Sequence, residues 1–197
     1  MKGEKRIWLV SSEHLEGGVW FPEESDFIVG MNYVAALAAL MGIEILAFVL
    51  MSNHVHFVLL CAEEEAIAFI NELKRRYGKY LQHRHDIAKL LKHNSVDVRE
   101  VPFENEAPEK AIAYVQMNPV AANICLHPSQ YPWGTGNLFF TADSPKGIRV
   151  DSISKRARFR MLRSKTDIPG NWLISWQGMT IFPACGSAGE CSFPGAS

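Results

Sequence analysis

Two histidines one residue apart, His54 and His56, carry the clearest chemistry in the sequence. They sit in an apolar run, HVHFVLL, with Val55 between them. On a β-strand, side chains at i and i+2 point to the same face. The two imidazoles are then presented side by side, a spacing that suits two neighbouring ligand positions on one divalent metal. Two surface-facing histidines on a half-exposed sheet are the plainer alternative. A second pair, His83 and His85, follows a helical stripe among polar neighbours (Gln82, Asp86) and reads as a solvated helix end. Tyr114 and Asn118, at i and i+4, share one helical face. Tyr114 also has the apolar neighbours Ala111, Ile112 and Val115, which suits a core tyrosine. Asn118 precedes Pro119 and so doubles as a helix terminator, because residues before proline avoid the α region. Cys185 and Cys191, with no histidine nearby, make a weak zinc signal.

Such residues need a strand and a helix to carry them, and the sequence supplies both. Residues 6–10 read as a first strand, followed by a loop with Gly17, Gly18 and Pro22. A helix starts near Ser25 or Asp26, either a suitable N-cap, and runs to Met41. Residues 44–50 and 54–60 form a hairpin of strands around the tight turn Met51-Ser52-Asn53. A second helix, 63–82, buries the stripe Ala66, Phe69, Ile70, Leu73, Tyr77, Tyr80 and Leu81. Residues 86–92 make a short extra turn. Residues 96–101 alternate apolar and polar and read as a fourth strand, and a third helix covers 106–118. The order β-α-β-β-α-β-α predicts an α+β fold. Its first six elements have the ferredoxin-like, split βαβ order, an antiparallel sheet backed by two helices, with the third helix additional. Beyond Tyr131 the sequence turns Pro/Gly-rich and irregular.

A chain of 197 residues suits one domain with an appended tail. With 48% apolar and 21% charged residues it has a globular composition. The net charge of −1 advertises no polyanionic partner, so a nucleic-acid surface requires local clustering. Residues 71–99 provide one: Lys74, Arg75, Arg76, Lys79, Arg84, Lys89, Lys92 and Arg99 against Glu72, Asp86 and Asp97. Lys155, Arg156, Arg158, Arg160, Arg163 and Lys165 form a second basic run. Either cluster serves as a solvated face or as a phosphate contact. Four scattered cysteines make no disulfide scaffold. Residues 33–51 are apolar except for Gly42 and Glu44, long enough for a membrane span. Gly42 at a helix-stop position and the β-rich residues after it instead indicate a buried helix followed by a buried strand. The start of the chain lacks a signal-peptide core, and a cytoplasmic, non-membrane location is expected.

Taken together, Met51-Ser52-Asn53-His54-Val55-His56, then Tyr114-Val115-Gln116-Met117-Asn118-Pro119-Val120, then Tyr131-Pro132-Trp133 resemble a known family. The chain resembles the HUH single-tyrosine transposases, in the REP-associated tyrosine transposase branch, over residues 1–136. The resemblance implies a catalytic domain over 1–136 and an irregular extension over 137–197. It implies His54 and His56 as ligands of Mg²⁺ or Mn²⁺, Asn118 as third ligand, and Tyr114 as the nucleophile. In that family the tyrosine attacks a phosphodiester of single-stranded DNA near a hairpin, becomes linked to the 5′ phosphate and leaves a 3′ hydroxyl. Lys74, Arg75, Lys79 and Arg99 are the expected DNA contacts, on a monomer or a homodimer.

The chemistry agrees. A tyrosine hydroxyl titrates near ~10 in water and is a weak nucleophile at neutral pH. One metal can polarise the phosphoryl oxygen and orient the phosphate against it. Two imidazoles and an amide oxygen leave an octahedral ion open positions for water and phosphate. The sequence also departs from the family. Ser52 stands in place of the usual proline, and Ala121-Ala122-Asn123 where Arg-Ala-Gly is common, removing one basic contact. Residues 93–101 lack the family's Trp-Gln-Arg-Phe character, and residues 171–197 match nothing in it. A replication or mobilisation nickase with the same site, and a non-catalytic nucleic-acid-binding module on the same fold, are the alternative readings.

Overall fold

The structure is a computed structural model that describes residues 3–136. Its elements run β1 (Arg6–Ser12), α1 (Glu24–Met41), β2 (Glu44–Met51), β3 (His54–Cys61), α2 (Glu63–His85), β4 (Val96–Val101) and α3 (Ala107–Ala121), then a short 3₁₀ turn at Pro128–Gln130. The four strands form one sheet in the order β2-β3-β1-β4. Every neighbouring pair is antiparallel. This is the expected ferredoxin-like α+β fold, with α1 and α2 on one side of the sheet.

The strands sort their side chains by alternation. Phe57 points to the α1/α2 side, where its ring meets Phe69 of α2 edge-on at 5.3 Å. Its cross-strand partners Phe48 and Val10 face the same way. His54 and His56 therefore point to the other side, and α3 lies over that side. The apolar stripe of α3, Ala111, Val115 and Pro119, is buried there. The core thus has two layers, one on each face of a sheet whose β2 and β3 are nearly all buried.

Gly42 ends α1 as expected. It adopts the left-handed conformation at φ 70°, and its N–H bonds back to the Ala38 carbonyl. The apolar run therefore breaks into helix and strand, and no helix among the described residues is long and apolar enough to cross a membrane. Three boundaries differ from the sequence reading. The N-cap of α1 is Glu23, not Ser25 or Asp26; Asp26 sits one turn in, where its carboxylate accepts from the Glu23 N–H at 2.9 Å. α2 runs one turn further, to His85, and residues 86–92 form only an irregular turn. α3 continues through Pro119 to Ala121. A proline in the last turn forfeits one hydrogen bond, to the Val115 carbonyl, and here Pro119 is buried.

Residues 131–135 close the outer edge of β2. The Leu50 N–H donates to Trp133 O at 2.8 Å, the Thr135 N–H to Phe48 O at 2.9 Å, and the Tyr131 hydroxyl to Leu50 O at 2.7 Å. Gly134 is needed there, because a Cβ would come within 2.6 Å of the Phe48 carbonyl oxygen. The Tyr131-Pro132-Trp133 segment is therefore an edge cover that protects a β-strand from outside pairing.

Candidate functional site

The site begins with the register of the sheet. His56 stands opposite Ser11 of β1 and Val49 of β2, and His54 stands opposite Met51. The hairpin turn at Ser52 and Asn53 is pinned from outside by the loop between β1 and α1. The Trp20 N–H and Phe21 N–H donate to Ser52 O at 2.6 and 3.2 Å, and the Leu15 N–H to Asn53 O at 3.0 Å. The two imidazoles are thus built on rigid backbone. Their ring centroids are 4.9 Å apart and their planes inclined by 77°.

Each ring has a defined partner. His56 Nδ1 lies 2.8 Å from Ser11 Oγ, while Nε2 is buried without a hydrogen-bond partner. His54 lies between two amide oxygens: Nδ1 is 2.8 Å from Asn53 Oδ1 and Nε2 is 3.1 Å from Asn118 Oδ1. A neutral imidazole has one N–H and donates to only one of them. Burial, with a smaller effect from neighbouring His14, pushes the His54 pKa down to about 4. Burial, then His54, pushes the His56 pKa down to about 3. Both rings are therefore neutral at physiological pH. Three arrangements satisfy His54: Nε2–H donates to Asn118 Oδ1 while the Asn53 amide turns its NH₂ toward Nδ1, the Asn118 amide turns its NH₂ toward Nε2, or a cation is held by Nε2 and Oδ1 together.

α3 delivers Tyr114 and Asn118 to this point because Val115 and Pro119 anchor its neighbouring face in the core. Asn118 reaches His54, and the Tyr114 ring stands against His56 with centroids 5.3 Å apart at 71°. Tyr114 is not a core tyrosine: it is 51% exposed. One helical face thus contacts both histidines, all within one chain. Among the described residues no three His, Cys, Asp or Glu side chains converge on a common metal position; the side chains that could hold a metal here are His54, His56 and Asn118.

Two imidazoles and one amide oxygen could hold a divalent ion and leave it open positions for water or phosphate. His54 Nε2 and Asn118 Oδ1 already face one another, and His56 Nε2 is buried without a hydrogen-bond partner. Ser11 suits this too: if His56 Nδ1 donates to the Ser11 hydroxyl, Nε2 is left as the acceptor.

The expected DNA-contacting residues are divided between the two sides of the sheet. Lys74, Arg75 and Lys79 ride on α2, across the sheet from the histidines. Lys74 is half-buried and donates to the Asn94 carbonyl, and burial lowers its pKa. Arg75 makes a two-pronged pair with Glu72, each contact 2.6 Å. Lys79 is exposed. Arg99 stands opposite Leu9 on the histidine side and pairs with Asp97 at 2.5 Å. The structure thus brings His54, His56, Tyr114 and Asn118 together and leaves Lys74, Arg75 and Lys79 apart from them. Cys185, Cys191 and the second basic run lie outside the described residues.

The expectation of a solvated His83–His85 pair holds only for His83. His85 Nε2 lies 2.9 Å from both oxygens of Asp26, which is fully buried and also accepts from the Tyr80 hydroxyl at 2.7 Å. The reason is helical spacing: Tyr77, Leu81 and His85 fall on one line, so the last turn extends the buried stripe. The sequence reading also missed Ser11, Asn53 and His14. His14 stacks on His54 with centroids 3.9 Å apart and planes 15° from parallel.

The fold and geometry define a ferredoxin-like domain with a histidine pair and a tyrosine on one sheet face. No protein-family model matches the chain, and no curated protein matches it. Among solved structures it is similar to a REP-associated tyrosine transposase bound to a REP hairpin. The TM-score is 0.55 at 14% identity, covering 71% of this chain and 81% of that one. That likeness establishes the shared fold.

Proposed function

We propose that the protein is a metal-dependent enzyme that nicks single-stranded DNA and transfers the strand, a transposase-like HUH transesterase acting beside DNA hairpins. The observation that carries this reading is the joint placement of Tyr114 against His56 and Asn118 against His54 from one helix, beside a buried ring nitrogen with no partner. The hairpin substrate is suggested by the structural neighbour, which is bound to one.

In this reading Tyr114 Oη attacks the phosphorus of the scissile phosphodiester. The Oη–P bond forms, the P–O3′ bond breaks, and the phenolic proton passes to the 3′ oxygen through solvent. The products are a 5′-phosphotyrosine and a free 3′ hydroxyl, and attack by another 3′ hydroxyl reverses the step to join a new strand. Mg²⁺ or Mn²⁺, held by His54, His56 and Asn118, would supply charge stabilisation at the phosphoryl oxygen. The protein's part is alignment: β3 fixes the ligand pair and α3 fixes the nucleophile at one helical turn from the amide. Because nucleophile and ligands belong to one chain, a monomer contains a whole site.

The test is a labelled single-stranded hairpin incubated with Mn²⁺ and resolved on a denaturing gel. A covalent protein–DNA adduct is expected with the native chain and none with Tyr114→Phe. An adduct from Tyr114→Phe moves the chemistry to another residue. No adduct from any hairpin, with binding intact, makes the protein a non-catalytic nucleic-acid module.

A further inference from the structure

His14 belongs to no strand or helix, yet its backbone is clamped on both sides. The Glu13 N–H donates to Ser95 O and the Leu15 N–H to Asn53 O, each at 3.0 Å. These bonds tie the β1–α1 loop to the segment before β4 and to the turn that carries His54. Between the clamps the His14 side chain is exposed to solvent, and its ring lies flat on His54 at 3.9 Å. An exposed imidazole with no hydrogen bond to the site, held over a buried one by two backbone bonds, needs an account.

His54 provides it. Its two ring nitrogens contact Asn53 Oδ1 and Asn118 Oδ1, and those contacts hold only while the ring keeps its present plane. The χ2 torsion of histidine has a broad potential, so plane orientation must come from packing. His56 meets the His54 ring at 77°, an inclined contact. The near-parallel stack with His14 adds a face-on contact that opposes rotation of the plane.

We propose that His14 is a positioning residue for the metal site: its stack on His54 locks the imidazole plane in which Nε2 faces Asn118 Oδ1. This rests on the metal-site reading above. His14 is not itself a ligand of the same ion. Ring-nitrogen lone pairs lie in the ring plane, and metal–nitrogen bonds are ~2.1 Å long. Planes only 15° from parallel and stacked at 3.9 Å do not meet within that reach. What His14 supplies is a flat, polarisable surface at a fixed height, which phenylalanine also supplies.

The experiment is calorimetric titration of the full chain with Mn²⁺, without DNA, for the native protein, His14→Ala and His14→Phe. Thermal melts without metal accompany it. Removing a hydrogen-bonded outer partner of a metal ligand costs on the order of tenfold in affinity or more, and loss of the stacked ring is set at the low end of that range. His14→Ala should therefore bind Mn²⁺ about tenfold more weakly, and His14→Phe should recover to within about twofold of native. Metal-free melting should change little in either, since the side chain is exposed. His14→Ala binding as tightly as native overturns the inference while leaving the metal site intact. His14→Phe as weak as His14→Ala also overturns it, because a ring nitrogen rather than the stack is then required. No Mn²⁺ binding by the native protein removes the metal-site reading, and the inference with it.

Discussion

The chain contains two His-x-His pairs, and the fold treats them oppositely. On β3 the period of two puts His54 and His56 on one face, rings 4.9 Å apart. On α2 two residues turn the helix by ~200°, so His83 faces solvent while His85 turns inward. There His85 meets a buried carboxylate whose acceptor capacity is filled: Asp26 takes the Glu23 N–H, the Tyr80 hydroxyl and the His85 ring. The strand pair is the reverse, since His56 Nε2 is buried with nothing to bond and His54 faces two oxygens with one proton to give. A saturated polar cluster ties α1 to α2 and is structural. The unsaturated one, with an exposed tyrosine beside it, is the one the proposed function uses.

The largest expected effects separate these two roles. Tyr114→Phe removes one oxygen and nearly keeps the volume, so the fold should survive while adduct formation falls on the order of 10³-fold or more. Mn²⁺ binding should persist in that variant and be lost in His56→Ala, as read by calorimetry. Equal loss of metal binding in both would mean that Tyr114 helps hold the ion.

Asp26→Asn tests the other cluster. It keeps the shape but removes the charge facing His85 and replaces one acceptor with a donor. Breaking a buried pair in this way should cost about 2–4 kcal/mol in urea unfolding. Mn²⁺ affinity should stay within about twofold of native. Loss of metal binding without loss of stability would reverse the two roles.

Acid probes the strand pair more gently. An unfolded histidine titrates near ~6.5, whereas burial holds His54 at about 4 and His56 at about 3 in the fold. Between those values the unfolded chain binds more protons than the folded one. Their stabilising contribution is complete above pH ~6.5 and is lost as pH falls toward 4 and 3. The midpoint of urea unfolding should drop over that window in the metal-free protein, and saturating Mn²⁺ should deepen the drop, since it binds only deprotonated imidazoles. A His54→Gln, His56→Gln double variant should show a flatter profile. An unchanged slope would assign the acid sensitivity to carboxylates.

Much of this was legible in the sequence, for geometric reasons. The ferredoxin-like order follows from periodicity, and the two pairings, His54 with His56 and Tyr114 with Asn118, follow from strand and helix spacing alone. What the spacing did not reveal depends on position along or across elements. The proline rule placed a helix end at Asn118, but Pro119 falls in a last turn where one lost bond is tolerated and the residue is buried. The Tyr77–Leu81–His85 line was readable, but polar neighbours masked it. Ser11 lies past the apolar end of β1, though the strand continues to pair there. His14 sits in a loop with no period, so nothing in the sequence ties it to a ring forty residues away. Charge counting found the basic cluster on 71–99 and could not say which face of the sheet it occupies.

That last gap sets up the smallest predicted effect. Arg99 shares the sheet face of the histidines, whereas Lys79 is exposed on α2 behind the sheet. If the DNA strand runs over the Tyr114 face, charge reversal at Arg99 should weaken single-strand binding a few-fold and make the dependence on salt shallower, since each lost phosphate contact removes a released counterion. Arg99 already pairs with Asp97, so part of its charge is spent locally and the effect stays modest. Lys79→Glu should change affinity for a short single strand by less than twofold. It should matter more when a long hairpin stem is attached, because only a longer DNA reaches around the sheet edge to α2. Fluorescence anisotropy at several salt concentrations, with a short strand and with a hairpin carrying that strand, distinguishes these cases. A larger loss from Lys79→Glu than from Arg99→Glu on the short strand would place the DNA across α2, and the two faces would then have to be reassigned.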